Sequence, residues 1–190
     1  MKEYDLHGRK KLEYIWDYYK LHIIAVLILC YFIGYIAHHF ITKKEVILSV
    51  AAINIEFSQE DVRTLTDGYL TYQNLNTKKY GIDFHNRLMS QGDEADGASY
   101  EYAYASSMKL LAMMTNASLD IVIMDEKAYN TFSNNEYLHP LNDLGLETAQ
   151  NGDAVQSTFM SSDIYIGIID NSKHVEEAKK YINYIINNLT

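Results

Sequence analysis

Hydrophobic positions fall into two regimes along this chain. From Leu21 to Ile41, LHIIAVLILCYFIGYIAHHFI, apolar residues run on with no polar face. Beyond Glu45 they return as short β-branched runs alternating with amphipathic stripes. The core of the first run, Ile23 to Ala37, holds neither a charge nor a histidine. As a helix it covers roughly 22 Å at ~1.5 Å per residue. Its apolar flanks extend it to the ~30 Å of a bilayer core. Trp16, Tyr18 and Tyr19 stand before it and Tyr35, His38 and His39 at its far end. Amphipathic rings at these places suit the two headgroup layers. The pattern predicts one membrane-spanning helix, residues 21–41, after a tail of residues 1–20. A core helix of a soluble protein would show water a polar face. A cleaved leader would need small residues ahead of the cut, and Tyr35 is too large. Cys30 follows Leu27, Ile28 and Leu29 rather than the small residues of a lipoprotein signal.

In the tail, Leu12, Ile15, Trp16 and Tyr19 share one helical face, which either lies along the interface or runs into the span. After the span, Val46–Phe57 is expected to be a buried strand. Ser58 caps a helix, with Asp61 completing a weak capping box and Val62, Leu65, Tyr69 and Tyr72 turned inward. Ile82–Leu88 is a second strand and Gln91–Gly97 a polar acidic loop. Asp93 in that loop lacks the closing glutamate of a calcium loop, the position being Tyr104. Ala98–Asn116 is a helix whose Tyr100, Tyr104, Met108 and Leu111 are expected in the core. Leu119–Met124 is a third strand, and Asp125 caps the helix after it. Tyr137–Leu144 makes a turn and short helix around Pro140, and Gly145–Asp163 is loop-rich. Ile164–Ile169 is a fourth strand. Asp170–Ser172 caps a last helix that buries Val175, Ala178, Ile182, Ile185, Ile186 and Leu189 and pairs Glu176 with Lys180. The order predicts an α/β fold: after the transmembrane helix, residues 42–190 form one open, mostly parallel, three-layer α/β/α domain.

Charge changes the picture of partners. The net charge is −9, but residues 1–42 hold five Lys and Arg against four acids, and the rest holds eleven against twenty-one. An acidic domain excludes nucleic acid, whose phosphates demand a basic face. Lys2, Arg9, Lys10, Lys11 and Lys20 precede the span and only Lys43 and Lys44 closely follow it. That bias keeps the tail cytoplasmic and puts the main domain outside the cell membrane. The single cysteine excludes an intrachain disulfide framework.

The run MKLLAMMTNASLDIVIMDEKAYNTFSNNEYLHPLNDL resembles the extracellular solute-binding proteins of sugar-type ABC importers. The likeness lies in a strand opening at Asp120, an acidic helix start at Asp125–Glu126, and Tyr137–Leu144 leading into Pro-Leu and an acidic turn. The C-terminal IGIIDNSKHVEEAKKYINYII is similar to that family's return strand, Asn-Ser-Lys loop and closing helix. KLEYIWDYYKLHII looks like the membrane-proximal start of small single-pass proteins of anaerobic Gram-positive bacteria. The resemblance implies a domain like a single periplasmic-binding-protein lobe. The family's clamp needs two lobes, and the residues between Leu144 and Ile164 are too few for a second.

No G-x-S-x-G, H-E-x-x-H, paired C-x-x-C or phosphate-binding glycine pattern occurs. No enzyme, metal site or cofactor is therefore expected. His7, His85, His139 and His174 are scattered singly. The expectation is a non-catalytic, membrane-anchored interaction module contacting a protein at the membrane. The alternative is a sugar- or peptide-binding module serving a transporter or sensor. Ligands of open α/β sheets lie beyond the carboxyl ends of strands. That rule selects Asn54 and Glu56 at one end, Asp125, Glu126 and Tyr129 at another, and Asp170 and Asn171 at a third. Capping and solvation compete for each of these residues, Asp125 above all.

Overall fold

The computed structural model describes residues 8–42, 44–90, 97–149, 151–159 and 162–188. The chain divides into two compact units, residues 1–43 and 44–190. In the first, α1 (Gly8–Thr42) is one helix of 35 residues, so the stretch expected as a tail, from Gly8 on, and the stretch expected as a span form one continuous helix. Its segment Tyr18–Ile36 is long and apolar enough to cross a membrane. Trp16, Tyr18, Tyr19 and Tyr35 are exposed on it. The side chains of Leu12, Ile15, His38 and His39, and all of His7, lie outside the described residues.

The second unit is built on one mixed sheet of five strands among the described residues: β1 (Glu45–Ile53), β2 (Tyr80–Leu88), β3 (Ile121–Met124), β4 (Ala154–Phe159) and β5 (Ser162–Ile168). Their order is β2-β1-β3-β5-β4. β1 pairs in parallel with β2 and β3, whereas β5 is antiparallel to both β3 and β4. The expectation of a mostly parallel sheet is corrected to a mixed one. β4 lies in the stretch expected to be loop. It is joined to β5 as a hairpin, Phe159 opposite Ser162, and a hairpin forces antiparallel pairing. Val46–Phe57 also stops early as a strand, because Asn54 turns left-handed at φ 58°.

Side-chain alternation divides the core in two. Leu48, Val50 and Ala52 of β1, Ile121 and Ile123 of β3, and Ile164, Ile166 and Ile168 of β5 share one cluster. Ala51 and Ile53 of β1 and Val122 and Met124 of β3 belong to the other. The period of two makes this unavoidable for strands buried on both sides. The first cluster is closed by the helical run after Ser58 and by α6 (Val175–Asn188). The second is closed by α4 (Gly97–Thr115) and α5 (Glu126–Asn134). Helices therefore cover both faces of the sheet.

The helical run begins at α2 (Gln59–Arg63), where Ser58 accepts the Asp61 N–H and the Asp61 carboxylate accepts the Ser58 N–H. It passes through a π-helical turn at Thr64–Gly68 and ends as α3 (Tyr69–Tyr72). A wide turn loosens the helical hydrogen bonding and leaves carbonyls to be satisfied elsewhere. Two tyrosines of α6 supply the donors. Tyr181 donates to the Leu65 carbonyl at 2.9 Å and Tyr184 to the Thr64 carbonyl at 3.0 Å. Gly68 makes room for this, since a Cβ there would sit 2.6 Å from the Tyr184 hydroxyl. Tyr69 packs edge-on against both rings, at 4.9 and 5.4 Å. On α6, Ala178, Tyr181, Ile182, Tyr184 and Ile185 are buried, and Leu189 lies outside the described residues. Lys180 pairs with Glu177 at 2.7 Å rather than with the expected Glu176.

Burial foremost, then the charge of Glu177, pushes the Tyr69 phenol up from its ordinary 10.0 to about 12. Burial also raises Tyr181 and Tyr184. The unfolded chain releases these protons first, so their contribution to stability is intact below pH 10.0 and lost as pH climbs toward about 12. Alkaline unfolding should follow that window, with tyrosinate absorbance rising together with loss of far-UV circular dichroism. Tyr184→Phe strands the Thr64 carbonyl and should cost about 1–2 kcal/mol in urea unfolding. An unchanged midpoint would show that the hydroxyl is dispensable.

Candidate functional site

The largest departure from the sequence reading is the orientation of α4. Among its described side chains, Ala103, Ser106 and Leu110 are buried. Tyr100, Tyr104, Met108 and Leu111, expected in the core, are exposed, the first two at 63% and 55%. A helical stripe shows which residues share a face, not which way the face looks. Here Ala103, Ser106 and Leu110 face the sheet, and the row of tyrosine, methionine and Leu111 is left outside. Lys109 is on the flank, with Nζ 3.1 Å from His85 Nδ1. The His85 ring also stands 3.3 Å from Asp83, and burial, more than the Lys109 charge, holds its pKa below the ordinary value. Tyr102 donates to the Arg87 carbonyl at 2.7 Å and ties α4 to β2.

The exposed stripe runs into a groove. Leu111, Met114 and Thr115 form one wall; Tyr137, Ile169 and Asp170 help form the other. The groove encloses about 250 Å³. Asn171 braces it by donating to the Met114 carbonyl at 2.7 Å, and Tyr137 rests edge-on against Phe132 at 5.7 Å. Glu136, held left-handed at φ 55°, and Asp170, 3.6 Å from His139, stand at its rim.

The seven sequence-selected residues do not form one cluster. Asn54 and Asp125 meet at the carboxyl ends of β1 and β3, with Asn54 Nδ2 donating to Asp125 at 3.1 Å and to the Ser90 hydroxyl at 2.9 Å. Asp125 also accepts the Ala128 N–H at 2.8 Å, which is the helix cap. Glu56 pairs with Arg87 at 3.3 Å on the open surface. Glu126 is exposed in the first turn of α5. Tyr129 is buried, stacked on Tyr165 at 4.3 Å, and donates to Asp153 at 2.9 Å. Asp170 and Asn171 are at the opposite end of the sheet, because β5 is antiparallel to β3 and its end meets the start of β3. The Ile169 N–H donates to the Asp120 carbonyl there. The acidic stretch Gln91–Gly97, up to residue 96, lies outside the described residues.

At that end the strand-opening Asp120 is 4% exposed. It accepts the Ser49 N–H at 2.9 Å and the Ser172 hydroxyl at 2.7 Å, and lies 3.0 Å from His174 Nδ1. The side-chain types are those of a hydrolytic triad, but the geometry is not. Ser172 and His174 both address the same carboxylate oxygen, so the imidazole is not arranged to take the serine proton. The network joins β1, β3 and the start of α6. A cleft of about 450 Å³ adjoins it, lined in part by Val46, Leu75, Tyr80, His174, Glu177 and Lys180. Among the described residues, no three His, Cys, Asp or Glu side chains stand together as a metal site.

No protein-family model, curated protein or solved structure matches this chain.

The two faces of α4 should respond differently to truncation. Leu110→Ala removes a buried side chain and should cost about 2–5 kcal/mol. Leu111→Ser and Tyr104→Ser should each stay within about 0.5 kcal/mol of the parent in denaturant titration. Asp120→Ala, which orphans three partners at once, should lose about 3 kcal/mol or more. Equal penalties at positions 110 and 111 would contradict the orientation of the helix.

Proposed function

We propose that this chain is a membrane-anchored, non-catalytic interaction module whose outer domain offers the exposed face of α4 to a protein partner at the membrane. The observation that carries this reading is the row Tyr100, Tyr104, Met108 and Leu111, left in water and continuous with the Leu111 groove. Contiguous exposed apolar surface of this kind marks contact sites more often than chance does. Tyrosine and methionine are also the residues interfaces favour. In this reading α1 spans the membrane once, residues 1–20 are cytoplasmic and the acidic domain is extracytoplasmic. The domain descends from a solute-binding lobe that has no second lobe to close on. The groove supports contact over capture: about 250 Å³ is below the ~300–1,000 Å³ of small-molecule pockets and suits one large side chain.

A second reading, a sugar- or peptide-binding module for a transporter or sensor, draws on the cleft beside His174, whose roughly 450 Å³ is in the ligand range. It would use none of the seven residues selected from sequence.

A photo-reactive amino acid placed at Met108 in native membranes should give a discrete adduct with another protein. The same probe at Asn183, on the exposed side of α6, should give none. Absence of any adduct at positions 104 and 108, together with thermal stabilisation of the full chain by a sugar or peptide, would replace the first reading with the second.

A further inference from the structure

We propose that the α4 face takes a short amphipathic helix of a partner protein, apolar on one side and carrying Lys or Arg at both ends. This deepens the interaction reading and rests on it. Tyr100, Tyr104, Met108 and Leu111 fall within one arc of the helix at 100° per residue. From Tyr100 to Leu111 they extend over roughly 17 Å at ~1.5 Å per residue. That length matches about three turns of a helix laid alongside, the helix-in-groove mode of recognition.

Charge complementarity selects the ends of the occupant. Glu101 stands beside Tyr100 at the start of the stripe. Glu136 and Asp170 stand at the groove where the stripe ends. No cation competes within the row itself: Lys109 lies well off its arc and is engaged with His85. An apolar strip closed at both ends by carboxylates favours cations at both ends of its partner. The same carboxylates oppose a second copy of this acidic chain and an anionic lipid surface. The groove between Leu111, Met114 and Tyr137 then receives one large apolar side chain, and methionine walls adapt to its shape.

The test uses the full chain in nanodiscs and two synthetic helical peptides. Both carry the same leucine and tryptophan face; one ends in lysines and the other in glutamates. The lysine-ended peptide should bind about tenfold or more tightly by fluorescence anisotropy, with the preference shrinking as salt rises. Glu101→Lys combined with Glu136→Lys should invert the preference, and Leu111→Ser should weaken both peptides alike. Equal binding of the two peptides, or preference for the glutamate ends, would overturn the proposed chemistry. So would a photo-adduct at position 108 joining two copies of this chain, or joining lipid. A discrete adduct with another protein but no peptide preference would leave the interaction reading standing without this occupant. Loss of both adduct and peptide binding would remove the two together.

Discussion

The rest of the α/β domain follows from the double-sided burial of β1 and β3. Each of Val50, Ala51, Ala52 and Ile53, and each residue from Ile121 to Met124, is buried to within 1%. Successive residues on a strand point to opposite faces, so two cores are needed, and no single layer of helices can close both. The helical run after Ser58 and α6 serve one core; α4 and α5 serve the other. The position of each helix is thereby set, and so is which of its faces is spent on the sheet. What a helix carries beyond that face is not explained by folding. On α6 the remainder is mostly charged or polar, as a solvated face should be. On α4 it includes, beside Glu101 and Lys109, a row of tyrosine, methionine and leucine.

The same demand for satisfied backbone explains the tyrosine-rich packing under the π-helical turn. Tyr69, Tyr181 and Tyr184 fill volume as phenylalanine would, but two of their hydroxyls also reach carbonyls that the turn leaves behind. Burying an amphipathic ring with its polar tip satisfied lets one side chain serve both needs. At the start of α6, Asp120 does comparable work with a charge: it holds the β1 backbone, the loop before α6 and His174 together. Several of the polar residues that look like chemistry in the sequence are employed in this way. Asn54 and Asp125 close the end of the sheet on each other, and Tyr129 binds α5 to the loop before β4.

How much could be read from the chain depended on whether a pattern was local. The strands at Val46, Ile82, Leu119 and Ile164 and the caps at Ser58 and Asp125 are legible, because β-branched runs and side-chain caps act within a few residues. β4 escaped notice because Gln156, Ser157 and Thr158 interrupt its apolar positions, as an edge strand with one neighbour allows; only Ala154 and Val155 are buried among its opening residues. Missing it also concealed the hairpin, and hence the direction of β5. That in turn separated Asp170 and Asn171 from the cluster they were expected to join. The face of α4 escaped for a different reason. Tyr100, Tyr104, Met108 and Leu111 form as good a core stripe as Ala103, Ser106 and Leu110, and only the space above the sheet decides between them. Residue size does not separate the two sets either, since Leu110 is buried and Leu111, Ala105 and Ala112 are exposed.

A contact face of this size has an energetic consequence. From Tyr100 to Leu111 the stripe is roughly 17 Å long, and a helix is ~10 Å across, so the face offers about 170 Å². Specific protein interfaces bury about 800 Å² per partner. Between freely diffusing proteins α4 alone would therefore make a weak encounter. An anchor changes the balance without adding a contact. If α1 holds the domain at the membrane that carries the partner, as proposed above, the second contact becomes nearly intramolecular, and linked binding of this kind can strengthen association by about a hundredfold or more. A small face suffices in that setting, and a large one would hold the partner too long to be released. In that proposal the apolar helix and the stripe act as two halves of one binding device.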